Sequence, residues 1–336
     1  MNRKIFLTIA KYSISLGIIS FLLYRATTGE HANSFNKIWT DREDWNKPYL
    51  LLSLLIALSG LSLTFIRWFF LVRALEIPFQ LRDSFRLGFI GYFSNFLSLG
   101  VLGGDAIKAV FISREQPERR PEAVSSIVLD RVMGLYSLTV VCAFAGVLST
   151  RYSSAPSSAE ATVDLTRIAE VSLGISVVAG VIGVLLVLIP RLTGEAMQDR
   201  VKIIPLAGPV LGKLLRAVNI YRGRPGMLLG LIGLTIVVHC LFAASVFVMA
   251  AGLQVEHPDF VQHLVISPMS NLAGSIPLPG GIGAFETMFE LLYVGAGIPA
   301  GSGLATALGF RVVTIIIALI GIVYYLRSKR ELAELH

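Results

Sequence analysis

Long apolar runs, separated by short polar or basic intervals, dominate this chain. A helix that crosses a ~30 Å hydrocarbon core needs ~20 mostly apolar residues. Runs at 49–71, 124–149, 168–189, 226–251 and 302–326 meet that requirement. A weaker run, 5–24, is interrupted by Lys11 and preceded by Arg3 and Lys4, the charge pattern of a secretory signal. No small-x-small cleavage site follows in LLYRATTGEHA, so an uncleaved first helix is expected.

Two further apolar stretches are broken. Residues 84–112 contain Asn95, Gly100, Gly103, Gly104, Asp105 and Lys108; residues 261–298 contain Pro268, Asn271, Pro277, Pro279, Gly280, Gly281 and Glu286. Pro and Gly at this density interrupt helices. The half from Arg86 to Leu99 would reach only ~21 Å as a helix, so a re-entrant hairpin is expected there. The second stretch is longer and fits a deep hairpin or two full helices. The phrases SNFLSLGVLGGDA (94–106) and SNLAGSIPLPGGIGAFE (270–286) follow one order: Ser-Asn, small and apolar residues, Gly-Gly, then an acid.

Composition agrees with membrane character. Hydrophobic residues make up 54% of the chain and charged residues 15%, against about 25% charged in an ordinary soluble domain; the mean hydropathy is +0.71. The deficit of charge runs the whole length, so a single integral membrane domain, 1–336, is expected, without a soluble catalytic domain. The net charge of +7 lies in short loops, where it reports membrane orientation and not nucleic acid. Loop 190–225 is the most basic, with Arg191, Arg200, Lys202, Lys213, Arg216, Arg222 and Arg224 against Glu195 and Asp199. Loop 25–48 is balanced and the Ser-rich 150–167 is nearly neutral. Basic loops belong on the cytoplasmic side, which predicts cytoplasmic termini in a plasma (inner) membrane. Three spanning helices between the broken stretches then invert the second relative to the first. The expected fold is an all-α polytopic membrane protein with about six full spanning helices plus two broken, re-entrant helical hairpins in an inverted-repeat arrangement. Its halves are 49–149 and 226–326. Broken segments at matching positions in inverted halves point to a transporter's binding site.

Candidate chemistry follows from the polar residues in these segments. Asn95 and Asn271 carry a donor and an acceptor each and can staple a hairpin. The Gly-Gly pairs allow tight turns and close approach. The N-terminus of a second half-helix favours an anion, which is Asp105 acting as a cap or the phosphate of a lipid. Arg131 and Arg311 lie roughly seven and nine residues into their apolar runs, at depths of ~10 and ~14 Å. Asp130 points about 100° away from Arg131 on a helix. The expected partners are therefore Asp105 or Lys108 in the first half and Glu286 in the second. Either these groups form closed ion pairs that fix the fold, or they form a headgroup or proton pathway. Arg67 reads as interfacial and His239 as a hydrogen-bonded core residue. Cys142 and Cys240 read as packing residues, with neither disulfide nor metal role. The sequence has no HExxH, P-loop, GxSxG or spaced Cys–His–Asp set. No catalytic residue, metal or cofactor is expected.

The segments IRWFFLV, GYFSNFLSLGVLGGDAIKAVF, SSIVLDRVMGL and SIPLPGGIGAFE followed by ALGFRVV resemble the flippase-like family typified by the transmembrane region of lysylphosphatidylglycerol synthase. The likeness runs from about residue 5 to 327. It implies a polytopic membrane protein that moves or handles a phospholipid or lipid-linked substrate. By motif it directs attention to Asn95, Gly103, Gly104, Asp105 and Arg131, and to Pro279, Gly280, Gly281, Glu286 and Arg311. Two departures stand out: Gly100 where the family has proline, and Lys108 where it has arginine. Lysine lacks the planar fork of arginine, which weakens the case for a bidentate clamp there. The synthase's catalytic domain does not appear in this sequence, so aminoacyl transfer by this polypeptide is not expected. The chain then reads as a lipid flippase-like protein. A non-catalytic accessory subunit and a membrane-embedded transferase are the alternatives, with a homo-oligomer or a membrane-enzyme partner compatible with either.

Overall fold

A computed structural model describes residues 3–28, 36, 40, 42–97, 101–115, 120–152, 164–205, 208–276 and 278–333. Gly100, Pro277, most of the Ser-rich interval 150–167 and part of loop 25–48 lie outside the described residues. Among those described, the secondary structure is helical without strands. The helices are α1 (Arg3–Thr28), α2 (Lys47–Arg73), α3 (Leu81–Leu97), α4 (Val101–Glu115), α5 (Arg120–Tyr152) and α6 (Leu165–Leu188). They continue with α7 (Glu195–Lys202), α8 (Gly208–Tyr221), α9 (Pro225–Leu253), α10 (Phe260–Ala273), α11 (Ala284–Gly295) and α12 (Ser302–Ala333). Five of them, α2, α5, α6, α9 and α12, are long and apolar enough to cross a membrane. These are the five clear runs of the sequence. The weaker sixth run lies within α1, of which Ser15–Tyr24 forms a shorter apolar helix, so the described residues give five spanning candidates where about six were expected.

Helix ends sit where local chemistry places them. Asn46 caps α2, its side chain accepting from Tyr49 N, and Asp164 caps α6 by accepting from Thr166 N at 2.8 Å. Asp259 and Gln262 form a reciprocal capping box at the start of α10. Helix α9 opens on Pro225 and closes at Gln254 in the left-handed conformation, φ 57°. Helix α5 begins at Arg120, a little ahead of its spanning stretch Ala123–Leu148, which matches the apolar run 124–149 of the sequence.

Small residues bring the central helices together, as expected where lipid supplies no hydrophobic drive. Along α2, Ser53, Ala57 and Gly60 face α9; the Ser53 and Ser245 hydroxyls each donate to the other residue's carbonyl at 2.8 Å. The backbone N–H of Asn46 donates to Gly252 O at 2.9 Å. Around this pair α3, α10, α11 and α12 share one buried core that includes Phe65, Phe89, Ile266, Phe289 and Phe310. A second core under α4, α5 and α8 centres on Trp68, Leu71, Ile112 and Tyr221. Helix α6 is the least covered span, with 11% of its apolar window buried.

Both broken stretches form pairs of short helices packed against each other. Helices α3 and α4 have 17 and 15 residues, α10 and α11 14 and 12. At 1.5 Å per residue these reach ~26, ~22, ~21 and ~18 Å, less than the hydrocarbon core. The second stretch therefore forms a helix pair and not two full spans.

Candidate functional site

The two phrases share an order of letters but build their turns differently. In the second, Pro279–Gly281 forms a turn of 3-10 helix in which Gly280 and Gly281 have φ of 60° and 66°, and Gly283 follows at 93°. Such values suit glycine. A Cβ on Gly281 would also meet the carbonyl of Gly274. In the first, Gly103 and Gly104 lie inside α4 instead of making a turn. Gly104 serves close approach: a Cβ there would meet Gly91 O and the Asn95 side chain. Of the two roles expected for that pair, the tight turn is not made there, and the close approach is made by Gly104.

Asn95 is the predicted staple. Its Oδ1 accepts from Gly104 N at 2.9 Å, joining α3 to α4. Asn271 is not: its Nδ2 donates to Ser267 O at 2.9 Å, one turn back in its own helix. Helix α4 resumes at Val101, soon after α3 ends, whereas α11 resumes only at Ala284. Among the described residues, no returning backbone N–H is bonded to the Asn271 side chain as Gly104 N is to Asn95.

Each hairpin sends a carboxylate to the arginine of the following long helix. Asp105 of α4 takes both Nε and Nη2 of Arg131, at 2.5 and 2.7 Å, so it is an ion-pair partner and not a helix cap. Glu286 of α11 takes Arg311 Nε at 2.6 Å, and its other oxygen accepts from Gly283 N at 2.7 Å. Here the carboxylate caps its helix and pairs at once. The partners stand 26 and 25 residues apart in the two halves. The pairs differ in cover: the Arg131 side chain is 45% uncovered by protein, against 13% for Arg311 and 0% for Glu286.

Both helix pairs reach one cavity of about 130 Å³. It is lined by Tyr92, Asn95 and Phe96 of α3; Asn271 and Gly274 from the end of α10; Gly280; Phe285; and Phe310, Arg311 and Thr314 of α12. Gly280 touches α3 so closely that a Cβ would stand 2.8 Å from the Phe96 ring. Arg311 Nη1 donates to Gly280 O at 2.8 Å, and its guanidinium lies over Phe285, 5.4 Å from the ring centroid. Its Nη2 is buried and has no hydrogen-bond partner among the described residues. An unmet buried donor is costly, so such a donor on a residue that lines a cavity suits an incoming acceptor. Gly103, Asp105, Lys108 and Arg131 are not among the described residues that line this cavity. Pro279 is buried within the turn.

Lys108, the cation expected for Asp130, has its Nζ over the Trp68 ring, 5.0 Å from the centroid. Arg67, expected at the interface, is 6% exposed, with Nε on Asp130 Oδ1 at 2.7 Å and Nη1 on Thr235 Oγ1 at 3.0 Å. This network was missed, although its signal was present: a carboxylate at Asp130, turned away from Arg131, needs another cation within its own bundle. His239 is the expected hydrogen-bonded core residue, its Nε2 3.1 Å from Gly134 O. Cys142 and Cys240 are both free thiols.

A comparison with curated proteins found no match. Nearly the whole length matches one family model: residues 9–321 match that for the Lysylphosphatidylglycerol synthase TM region, and the chain belongs to that family of membrane proteins.

Proposed function

We propose that this protein binds the headgroup of a phospholipid or lipid-linked substrate and assists its movement between leaflets. The observation that carries the reading is the cavity between the two helix pairs, where Arg311 keeps one buried guanidinium nitrogen without a partner among the described residues. On this reading both short helix pairs are re-entrant hairpins of inverted halves. Arg131 and Arg311 attract the phosphate, and Asp105 and Glu286 set the charge balance. The unequal cover of the two arginines supports a state in which the first-half pair is open to a headgroup and the second-half pair is nearly closed. The family supports a role related to lipid modification. In this proposal the polypeptide is not itself an enzyme, and its termini and basic loop face the cytoplasm from the plasma (inner) membrane.

The test is headgroup accessibility of fluorescent phospholipids in liposomes, with the wild type beside Arg131→Ala and Arg311→Ala. Protein-dependent movement that is lost in folded variants supports the reading; movement unchanged in both overturns it. Closure of the two carboxylate–arginine pairs favours a second reading, an accessory subunit whose ion pairs only fix its shape. That reading expects no lipid movement, unstable arginine variants and one constant partner in pull-downs.

A further inference from the structure

The segment between α6 and α9 is built unlike the rest of the chain. Residues 190–225 carry seven cationic side chains against two acids. Helices α7 and α8 meet there in a tight corner: Gly208 N donates to Ile204 O at 2.9 Å. A Cβ on Gly208 would meet the backbone oxygens of Val201 and Lys202, so the corner requires glycine. The inner face of α8, with Leu215, Ala217 and Tyr221, is buried. Tyr221 Oη donates to Leu71 O at 2.7 Å, and Arg224 Nη1 donates to Ala74 O at 2.5 Å. These bonds fasten the segment to the end of α2.

The outer side of the corner is the unusual part. Ile203 is 81% exposed and Ile204 45%. Arg200, Lys202 and Lys213 of the two helices are exposed as well, Lys202 with its Nζ on Asp199 Oδ1 at 2.8 Å. A soluble loop gains nothing from presenting two adjacent β-branched apolar residues to water. A leaflet boundary does use this arrangement, with apolar side chains entering the acyl region and cations meeting anionic headgroups.

We infer that the α7–α8 corner is an anchor that inserts Ile203 and Ile204 into an anionic leaflet surface. Three observations favour lipid as the occupant. The corner is tethered between two helices long and apolar enough to span, so a membrane surface is always beside it. Its excess charge is positive. The apolar exposure continues into the end of α6, where Leu188 is 70% exposed and Ile189 40%. The inference does not depend on lipid passing through the protein.

The test places an environment-sensitive fluorophore on Ile203→Cys in a Cys240→Ala background, since Cys142 is buried. The full chain is reconstituted in vesicles of phosphatidylcholine alone or of phosphatidylcholine with phosphatidylglycerol. The expected result is blue-shifted emission, quenched by spin labels on the lipid chains, in the anionic vesicles. The shift should be lost in Arg200→Gln/Lys202→Gln/Lys213→Gln, while a label on Ala196→Cys stays aqueous. Aqueous emission from residue 203 in both vesicle types would overturn the anchor. Equal insertion in both types, or insertion unaffected by loss of the three cations, would overturn the anionic selectivity. Preserved tertiary structure is verified in each variant by near-UV circular dichroism.

Discussion

Replacing Arg311 by methionine removes the cation from a carboxylate that has no exposure. Glu286 is 0% exposed and its pair with Arg311 closes at 2.6 Å. Loss of one partner of such a pair leaves a buried charge and costs about 3–5 kcal/mol. Arg131→Met is the contrasting perturbation. Its side chain is 45% uncovered by protein, and if that uncovered part meets water the pair contributes only about 0–1 kcal/mol. The double variant Glu286→Gln/Arg311→Met should recover most of the loss. The amide oxygen can still accept from Gly283 N, which Glu286 now does at 2.7 Å, and no charge is left behind. Unfolding free energies from denaturing-detergent titrations in mixed micelles measure all three. If Arg311→Met loses no more than Arg131→Met, the second-half pair is not dry and the contrast between the halves fails.

Gly104→Ala should lose about 1–3 kcal/mol in the same titration, because overpacking forces strain and the new Cβ would meet Gly91 O and the Asn95 side chain. Gly174→Ala, with nothing within 4 Å, should instead gain up to about 1 kcal/mol from helix propensity; equal effects at both sites would refute the packing role of Gly104. Arg67→Leu should cost about 3–5 kcal/mol by stranding Asp130, since the Arg67 and Asp130 side chains are only 8% and 12% exposed. An unaltered stability would restore the interfacial reading. Glu286→Gln keeps the cap but frees Arg311, so binding of an anionic fluorescent lipid should strengthen. Weaker binding by a folded variant would remove Arg311 from the proposed site.

The spans and the broken segments were legible because they depend on local composition: length of apolar run in one case, density of Gly and Pro in the other. The partners of Arg131 and Arg311 were legible because an intramembrane charge needs a counter-charge, and the broken segments carried carboxylates at similar distances. Arg67 was not legible. Its place near the end of an apolar run suggests the surface, but α3 folds back to donate from the Ser84 hydroxyl to Phe65 O at 2.7 Å, beside it on α2. Tertiary cover, not distance from a helix end, decides its burial. The different duties of Asn95 and Asn271 were hidden as well. They depend on how soon the chain turns back, and two similar Ser-Asn phrases do not encode that.

The pairing of each arginine with a carboxylate gives a physical reason why a charged site can persist in these halves. Asp105 and Glu286 offset the arginine charge, which lowers the cost of holding a cation at membrane depth. They do not saturate it. At Arg131 the carboxylate occupies Nε and Nη2; at Arg311 Glu286 occupies only Nε, Gly280 O takes Nη1, and Nη2 is buried with no partner among the described residues. On the proposed reading an anion that reaches Nη2 from the cavity joins Arg311 without first displacing Glu286, and so avoids the several kcal/mol that opening a buried pair costs. Retention of the carboxylate also keeps the attraction for that anion modest. A bare buried guanidinium would bind a phosphate strongly and release it slowly. On the proposed reading a half-neutralised arginine meets both needs of a headgroup in transit, a donor strong enough to draw it from the leaflet and a net charge small enough to let it leave.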